Sequence, residues 1–248
     1  METAMPKVTP FALAATASLL LSTAAFAQSK TFALEGFDRI DIATGLDAQV
    51  TLGESFSVTA QSRSQDALDH LQVELDGGTM TARFEQSFID FIISGGLVGQ
   101  LFNSGNAITL EVTVPALAGV TASSGADVEL TGMTSERLEL DASSGADIAA
   151  RDAVIGEAIL AASSGATIEI GGTADTVQAE ASSGSDIYAD GLVSRNATAQ
   201  ASSGANIAVH ATAGVRAQAS SGGDVDIHGN PATRDIDESS GGDVTFDN

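Results

Sequence analysis

Ser-Ser-Gly returns seven times along the chain, with its glycine at Gly125, Gly145, Gly165, Gly184, Gly204, Gly222 and Gly241. The intervals are 20, 20, 19, 20, 18 and 19 residues. A period this regular marks a solenoid, in which one structural unit is copied and stacked on the last. Three residues after each glycine stand Val128, Ile148, Ile168, Ile187, Ile207, Val225 and Val244, all β-branched and apolar. Two residues further come Leu130, Ala150, Ile170, Ala189, Val209, Ile227 and Phe246, with a variable residue between. Apolar, variable, apolar is the two-residue period of a strand with one buried face. Three residues before the glycine, alanine occupies Ala122, Ala142, Ala162, Ala181, Ala201 and Ala219, and Glu238 breaks the row only in the last copy, which reads as a solvent-facing cap.

Each period is thus expected to hold two short strands bent at the Ser-Ser-Gly corner. Neither strand can bury its inner face alone, so like positions must stack at the ~4.8 Å strand spacing, and seven rungs make a rod about 30 Å long. Glycine at the corner serves a positive φ or a close approach. Simple alternation sends the serine next to glycine inward (Ser124, Ser144, Ser164, Ser183, Ser203, Ser221 and Ser240), where stacked hydroxyls share hydrogen bonds. A helical repeat is excluded because apolar positions recur at two rather than at three and four. A leucine-rich repeat lacks its Leu-x-x-Leu-x-Leu pattern and asparagine ladder. The expected fold class is therefore all-β, a parallel β-helix of seven rungs of about 20 residues, preceded by an irregular β part.

The core of such a solenoid must be narrow, and composition agrees: aromatics are 4%, Trp is absent and Tyr188 is the single tyrosine. The formal net charge is −23, with only 10 Lys and Arg in the chain. That balance argues against nucleic acid and anionic membrane surfaces, both of which are bound through clustered cations. It serves solubility first, with affinity for divalent cations as the sharper alternative. No cysteine is present, so disulfides, thiolate metal sites and lipid attachment through cysteine do not arise.

Residues 1–27 read as a secretory signal peptide: Lys7 precedes an apolar run at 11–25 that ends on Ala25-Phe26-Ala27. The run is short of the ~20 apolar residues of a transmembrane helix, so no transmembrane segment is expected after cleavage before Gln28, and a retained N-terminal anchor is the less favoured reading. The expected location is the periplasm or the cell surface. Residues 28–115 carry strand signals without the repeat, at 37–42, 46–52, 56–60, 71–75, 79–84 and 108–114. Asp76-Gly77-Gly78 is a hairpin cue, Gly45 and Gly53 are breaks, and 65–70 reads as a helical turn capped by Asp66. An apolar insertion at 88–102 is expected to cover the open end of the helix, or else to form an exposed patch. Residues 116–248 are the repetitive part.

Gly36-Phe37-Asp38-Arg39-Ile40-Asp41-Ile42, Gly45-Leu46-Asp47-Ala48-Gln49-Val50, Leu71-Gln72-Val73-Glu74-Leu75, Val112-Thr113-Val114-Pro115 and the Ser-Ser-Gly-Ala-Asp rungs, in that order, resemble the bacterial putative auto-transporter adhesin, head GIN domain family. The likeness runs from about Gly36 nearly to the end. It implies a right-handed parallel β-helix in an exported protein and carries no catalytic residues across. The sequence contains no recognisable C-terminal translocator barrel.

Two residues after each glycine lies the best candidate site, Asp127, Asp147, Thr167, Asp186, Asn206, Asp224 and Asp243. Stacked carboxylates suit calcium, which takes several oxygen ligands, so Asp127, Asp147, Asp186, Asn206, Asp224 and Asp243 form a candidate calcium ladder; the plainer reading has each Asp accept N–H bonds in its own turn. Calcium is the one cofactor considered, and no other is expected. Catalysis would need convergent acid, base or metal groups, whereas these carboxylates are spread one per rung. His70, His210 and His228 share no motif, although His210 and His228 fall at corresponding places in consecutive rungs, and no Gly-x-Ser-x-Gly elbow occurs. The reading is a non-enzymatic structural or interaction protein, adhesin-like, whose partner is an envelope or cell-surface component. The alternative is a carbohydrate-binding or carbohydrate-cleaving β-helix, for which Tyr188 and Phe246 are the rung aromatics.

Overall fold

The computed structural model describes residues 28–85 and 107–247. The segment read as a signal peptide and the apolar insertion at 88–102 lie outside the described residues. In chain order the first part holds β1 (Gln28–Phe32), β2 (Arg39–Ala43), β3 (Asp47–Leu52), β4 (Ser57–Ser62), α1 (Gln65–Asp69), β5 (Leu71–Asp76), β6 (Thr79–Phe84) and β7 (Ile108–Val114). The repeat follows as β8 (Gly119–Ser123), β9 (Asp127–Thr131), β10 (Thr134–Ser143), β11 (Asp147–Ser163), β12 (Thr167–Ser182), β13 (Asp186–Ser202), β14 (Asn206–Ser220), β15 (Asp224–His228), β16 (Thr233–Ser239) and β17 (Asp243–Asp247). The seventeen described strands join one continuous sheet, wound as a parallel β-solenoid apart from the antiparallel pairings of β1, β4 and β5, and the seven Ser-Ser-Gly corners bound about six full turns.

The stacking follows the period. Val128, Ile148, Ile168, Ile187, Ile207, Val225 and Val244 are partners in register from coil to coil. So are Ala122, Ala142, Ala162, Ala181, Ala201, Ala219 and Glu238. Apart from the last coil these columns are buried. Each isoleucine removed from water this way contributes on the order of 2 kcal/mol before chain entropy. The strands are longer than two short arms per period would give, because β11, β12 and β13 run on for 16 or 17 residues round a third side of the coil.

The corner differs from simple alternation. At every Ser-Ser-Gly both the second serine (φ 51–60°) and the glycine (φ 68–79°) are left-handed, the φ signature of a type I′ turn. In six corners the first serine's carbonyl accepts from the N–H three residues on, at 3.0–3.3 Å, as in Ala146 N to Ser143 O. Two consecutive left-handed residues reverse the chain outside the core and reset the alternation. Ser124, Ser144, Ser164, Ser183, Ser203, Ser221 and Ser240 are therefore exposed, not inward, and form no internal hydroxyl ladder. The residue after glycine takes the inward place: Ala126, Ala146, Ala166, Ser185 and Ala205 are buried. Ser185 stays satisfied there, its Oγ donating within 2.8 Å of Ala162 O and 2.9 Å of Ser182 O while accepting from Ser182 N.

The first part stacks out of sequence order. The coil formed by β2 and β3 lies between the pair β6 and β7 on one side and the pair β8 and β9 on the other. Its corner is Thr44-Gly45, again with both residues at positive φ (64° and 67°), and Gly45 N donates to Ser124 O in the next corner at 3.1 Å. Antiparallel strands close this end: β4 on β7, β1 on β4, and β5 on β6 through the expected Asp76-Gly77-Gly78 hairpin. Helix α1 is capped by Ser64, whose Oγ accepts from Ala67 N at 3.3 Å, while Asp66 lies in its first turn and is not the cap. The other end closes by charge. Arg234 and Glu238 stand where earlier coils carry Val215 and Ala219. Arg234 lies 4.0 Å over the Phe246 ring and Glu238 accepts from Val244 N at 3.0 Å.

Candidate functional site

Because the coils are in register, every outward position becomes a column. On the face before the corner, Arg39, Gly119 and Glu139 are successive partners. The guanidinium of Arg39 passes over Gly119 to reach Glu139, with both Nη atoms 3.1 Å from Oε2. A side chain at position 119 would meet Arg39 Nη1 at 2.9 Å, so the glycine keeps the path open. Further along the same face Arg137 pairs with Glu157, which also accepts from Gln178 at 2.8 Å, and Arg216 donates to Asp235 at 2.8 Å. These exposed bridges hold neighbouring coils together only weakly.

The Asp row expected from the sequence lies on the face after the corner, and the structure extends it. Asp47 is the register partner of Asp127, so the column reads Asp47, Asp127, Asp147, Thr167, Asp186, Asn206, Asp224 and Asp243. Asp47 was missed because Thr44-Gly45 replaces Ser-Gly and lies 80 residues before Gly125; the signal was the likeness of Gly-Leu-Asp-Ala to the Gly-Ala-Asp-Val that opens β9. Partial burial, then the neighbouring Asp47 and Asp147, hold the Asp127 carboxyl above the usual range. Burial, then Glu129, does the same to Asp47. Among the described residues no ladder carboxylate accepts an N–H from its own turn. The backbone N–H groups donate instead to the coil before, as Asp147 N does to Ala126 O at 2.9 Å. Asn206 relieves one contact by donating to Asp186 Oδ1 at 2.7 Å. No group of three His, Asp or Glu residues able to hold a metal ion occurs among the described residues.

His210 and His228 are register partners, followed by Asp247. His70 is remote from them, beside Glu85 at 3.5 Å.

Unequal coil lengths create a further feature. Between the second and third sides, Arg151 and Asp152 on β11 face the single Gly171 on β12, and Ala189, Asp190 and Gly191 on β13 face Ile170 and Gly171. The short middle coil leaves a groove of about 600 Å³ floored by glycine, with Tyr188 on its wall. Sequence reasoning named Tyr188 but had no means of placing it beside Arg151, Asp152, Glu169 and Asp190.

The model of the family described as putative auto-transporter adhesin, head GIN domain, matches residues 36–231. This chain belongs to that family. Three solved structures share the head GIN fold over 90% of this chain and 97% of their own. A protein called a putative adhesin from Bacteroides fragilis superposes with a TM-score of 0.76 at 14% identity. One called a putative adhesin from Parabacteroides distasonis gives 0.67 at 16%, and one called a putative lipid binding protein from the same species gives 0.64 at 16%. At such identities they show the fold of this head GIN chain alone. No curated protein matches the sequence.

Proposed function

We propose that the protein is an exported, non-enzymatic adhesin-like β-solenoid that makes contacts with components of the cell envelope or of other surfaces. Membership of the head GIN adhesin family carries this reading. The geometry supports it in a specific way: parallel faces present like side chains at one strand spacing, ~4.8 Å, which suits many weak contacts along an extended partner. The carboxylates of the Asp column are laid out along the rod rather than around one cleft, an arrangement that favours contact over turnover. Export rests on the sequence of residues 1–27, and no described helix is long and apolar enough to cross a membrane. The negative surface favours partners that are neutral or cationic.

Fractionation, with labelling of intact cells by an impermeant reagent, tests the reading. Recovery of processed protein outside the cytoplasm, labelled on whole cells, is expected for an adhesin. Retention in the cytoplasm would refute export, and turnover of a substrate by the purified chain would refute the non-enzymatic role.

A further inference from the structure

The groove at Gly171 brings five polar side chains from three successive coils together. Arg151, Asp152, Glu169, Tyr188 and Asp190 line it, and none of these side chains makes a hydrogen bond or ion pair with another described residue. Among the described cations of the solenoid faces, Arg39, Arg137 and Arg216 are paired across coils, whereas Arg151 and Arg195 make no ion pair with a described residue. Asp152 sits at a φ of 55°, a left-handed conformation that a residue other than glycine holds only at some cost. Tyr188 is 46% exposed, an uncommon position for the chain's only tyrosine.

At Gly172 a Cβ would lie 2.0 Å from Ala153 O, so this glycine is required by the packing of the coils. At Gly171 a Cβ would meet Gly191 O at 3.6 Å and Gly191 C at 3.9 Å, both ordinary contacts, so a side chain fits at this position in the groove lining. A volume of about 600 Å³ falls within the ~300–1,000 Å³ of small-molecule sites.

We propose that the groove is a glycan-binding subsite in which a pyranose ring packs on Tyr188 and its hydroxyls bond to Arg151, Asp152, Glu169 and Asp190. An aromatic face supplies apolar contact area with a polar tip. Carboxylates accept from hydroxyl groups and the guanidinium donates to ring and hydroxyl oxygens. Three carboxylates against one guanidinium make the site anionic, so it takes neutral or amino sugars and rejects uronates. The proposal deepens the adhesin-like reading by giving the adhesive face a ligand class.

Isothermal titration of the intact chain with neutral hexose oligomers, chito-oligosaccharides and oligouronates tests it. Binding of a neutral or amino-sugar oligomer, with none of the oligouronate, is expected. Tyr188→Ala and Gly171→Leu, one removing the platform and one filling the floor, should each weaken that binding roughly tenfold or more, the scale of a lost aromatic anchor, with the melting temperature retained. No binding of any probe, a preference for uronates, or undiminished binding in a folded variant of either kind overturns the proposal. A surface-labelled protein that binds no probe sinks the groove alone, and glycan binding by a protein retained in the cytoplasm sinks the adhesin reading alone.

Discussion

The part before β8 and the part after it use the same coil but obey different rules of order. From β8 onward, neighbours in sequence are neighbours in space, and a residue finds its partner 17 to 20 positions away. Before β8 the coil of β2 and β3 is threaded between two later coils, so that Asp47 finds Asp127. The two ends differ as well. Antiparallel β1, β4 and β5 cover the first, whereas the last coil puts Arg234 and Glu238 where an apolar core would otherwise face water. A repeat is needed to extend a solenoid, but its ends must abandon the repeat to stop it from pairing onward.

If the middle of the stack holds the fold together and the ends only close it, substitutions should separate the two. Ile168→Ala, in the centre of the buried column, should lower the unfolding free energy by about 3 kcal/mol in denaturant melts. Val244→Ala, in the same column at the half-covered end, should cost under about 1 kcal/mol. Equal losses would show that the end is as tightly packed as the centre.

Removing the charges from the last coil tests the closure itself. With Arg234→Leu and Glu238→Leu combined, sedimentation should show end-to-end association that the parent does not show under the same conditions. Unchanged sedimentation would show that the exposed Asp235, Asp237 and Asp243 suffice to keep copies apart.

The Asp column joins the two regions through Asp47 and Asp127. Their carboxyls, and those of Asp41 and Asp141, are shifted upward, burial being the first cause in all four. A folded-state value above the unfolded one means that the native protein binds protons more readily. The contribution to stability is full below the ordinary carboxylate range and is lost as pH rises through the raised folded value. Melting temperature should therefore climb as pH falls from neutrality toward about 4. Asp127→Asn should raise stability at neutral pH by about 0.5 kcal/mol, the scale of a like-charge cross-strand contact, and flatten that climb. A chelator should leave the melt unchanged; a fall of several degrees would establish the calcium ladder.

Much of the repeat was legible because a stacked rung repeats its environment and therefore its residue types. The two inner columns, the cap at Glu238 and the end strands Thr79–Phe84 and Ile108–Val114 all followed from period and alternation. The corner serines were misplaced because alternation holds only while φ stays extended, and the sequence does not announce that Ser144 and Gly145 are both left-handed. The inserted coil was hidden because order in space is not periodic in sequence there. The groove escaped notice because it arises from a difference in length between neighbours, one residue at Gly171 against two at Arg151 and Asp152. Strand β1 is polar over Gln28–Phe32 and carries little pattern at all.

The smallest effect concerns the corner. Ser164→Asn should be close to neutral, because asparagine tolerates the left-handed region and the position is exposed. A loss above about 2 kcal/mol would mean the serine is buried after all.

Out-of-order stacking is tested most directly by crosslinking, since the chain has no cysteine of its own. Gln49 has Glu129 as its register partner on one side and Glu111 on the other. A Gln49→Cys, Glu129→Cys double variant should form a disulfide on mild oxidation, the strand spacing of ~4.8 Å lying inside the bridgeable range. Glu111→Cys with Glu129→Cys should not, because the coil of β2 and β3 separates the two by about twice that spacing. A bridge in the second variant and none in the first would contradict the inserted coil.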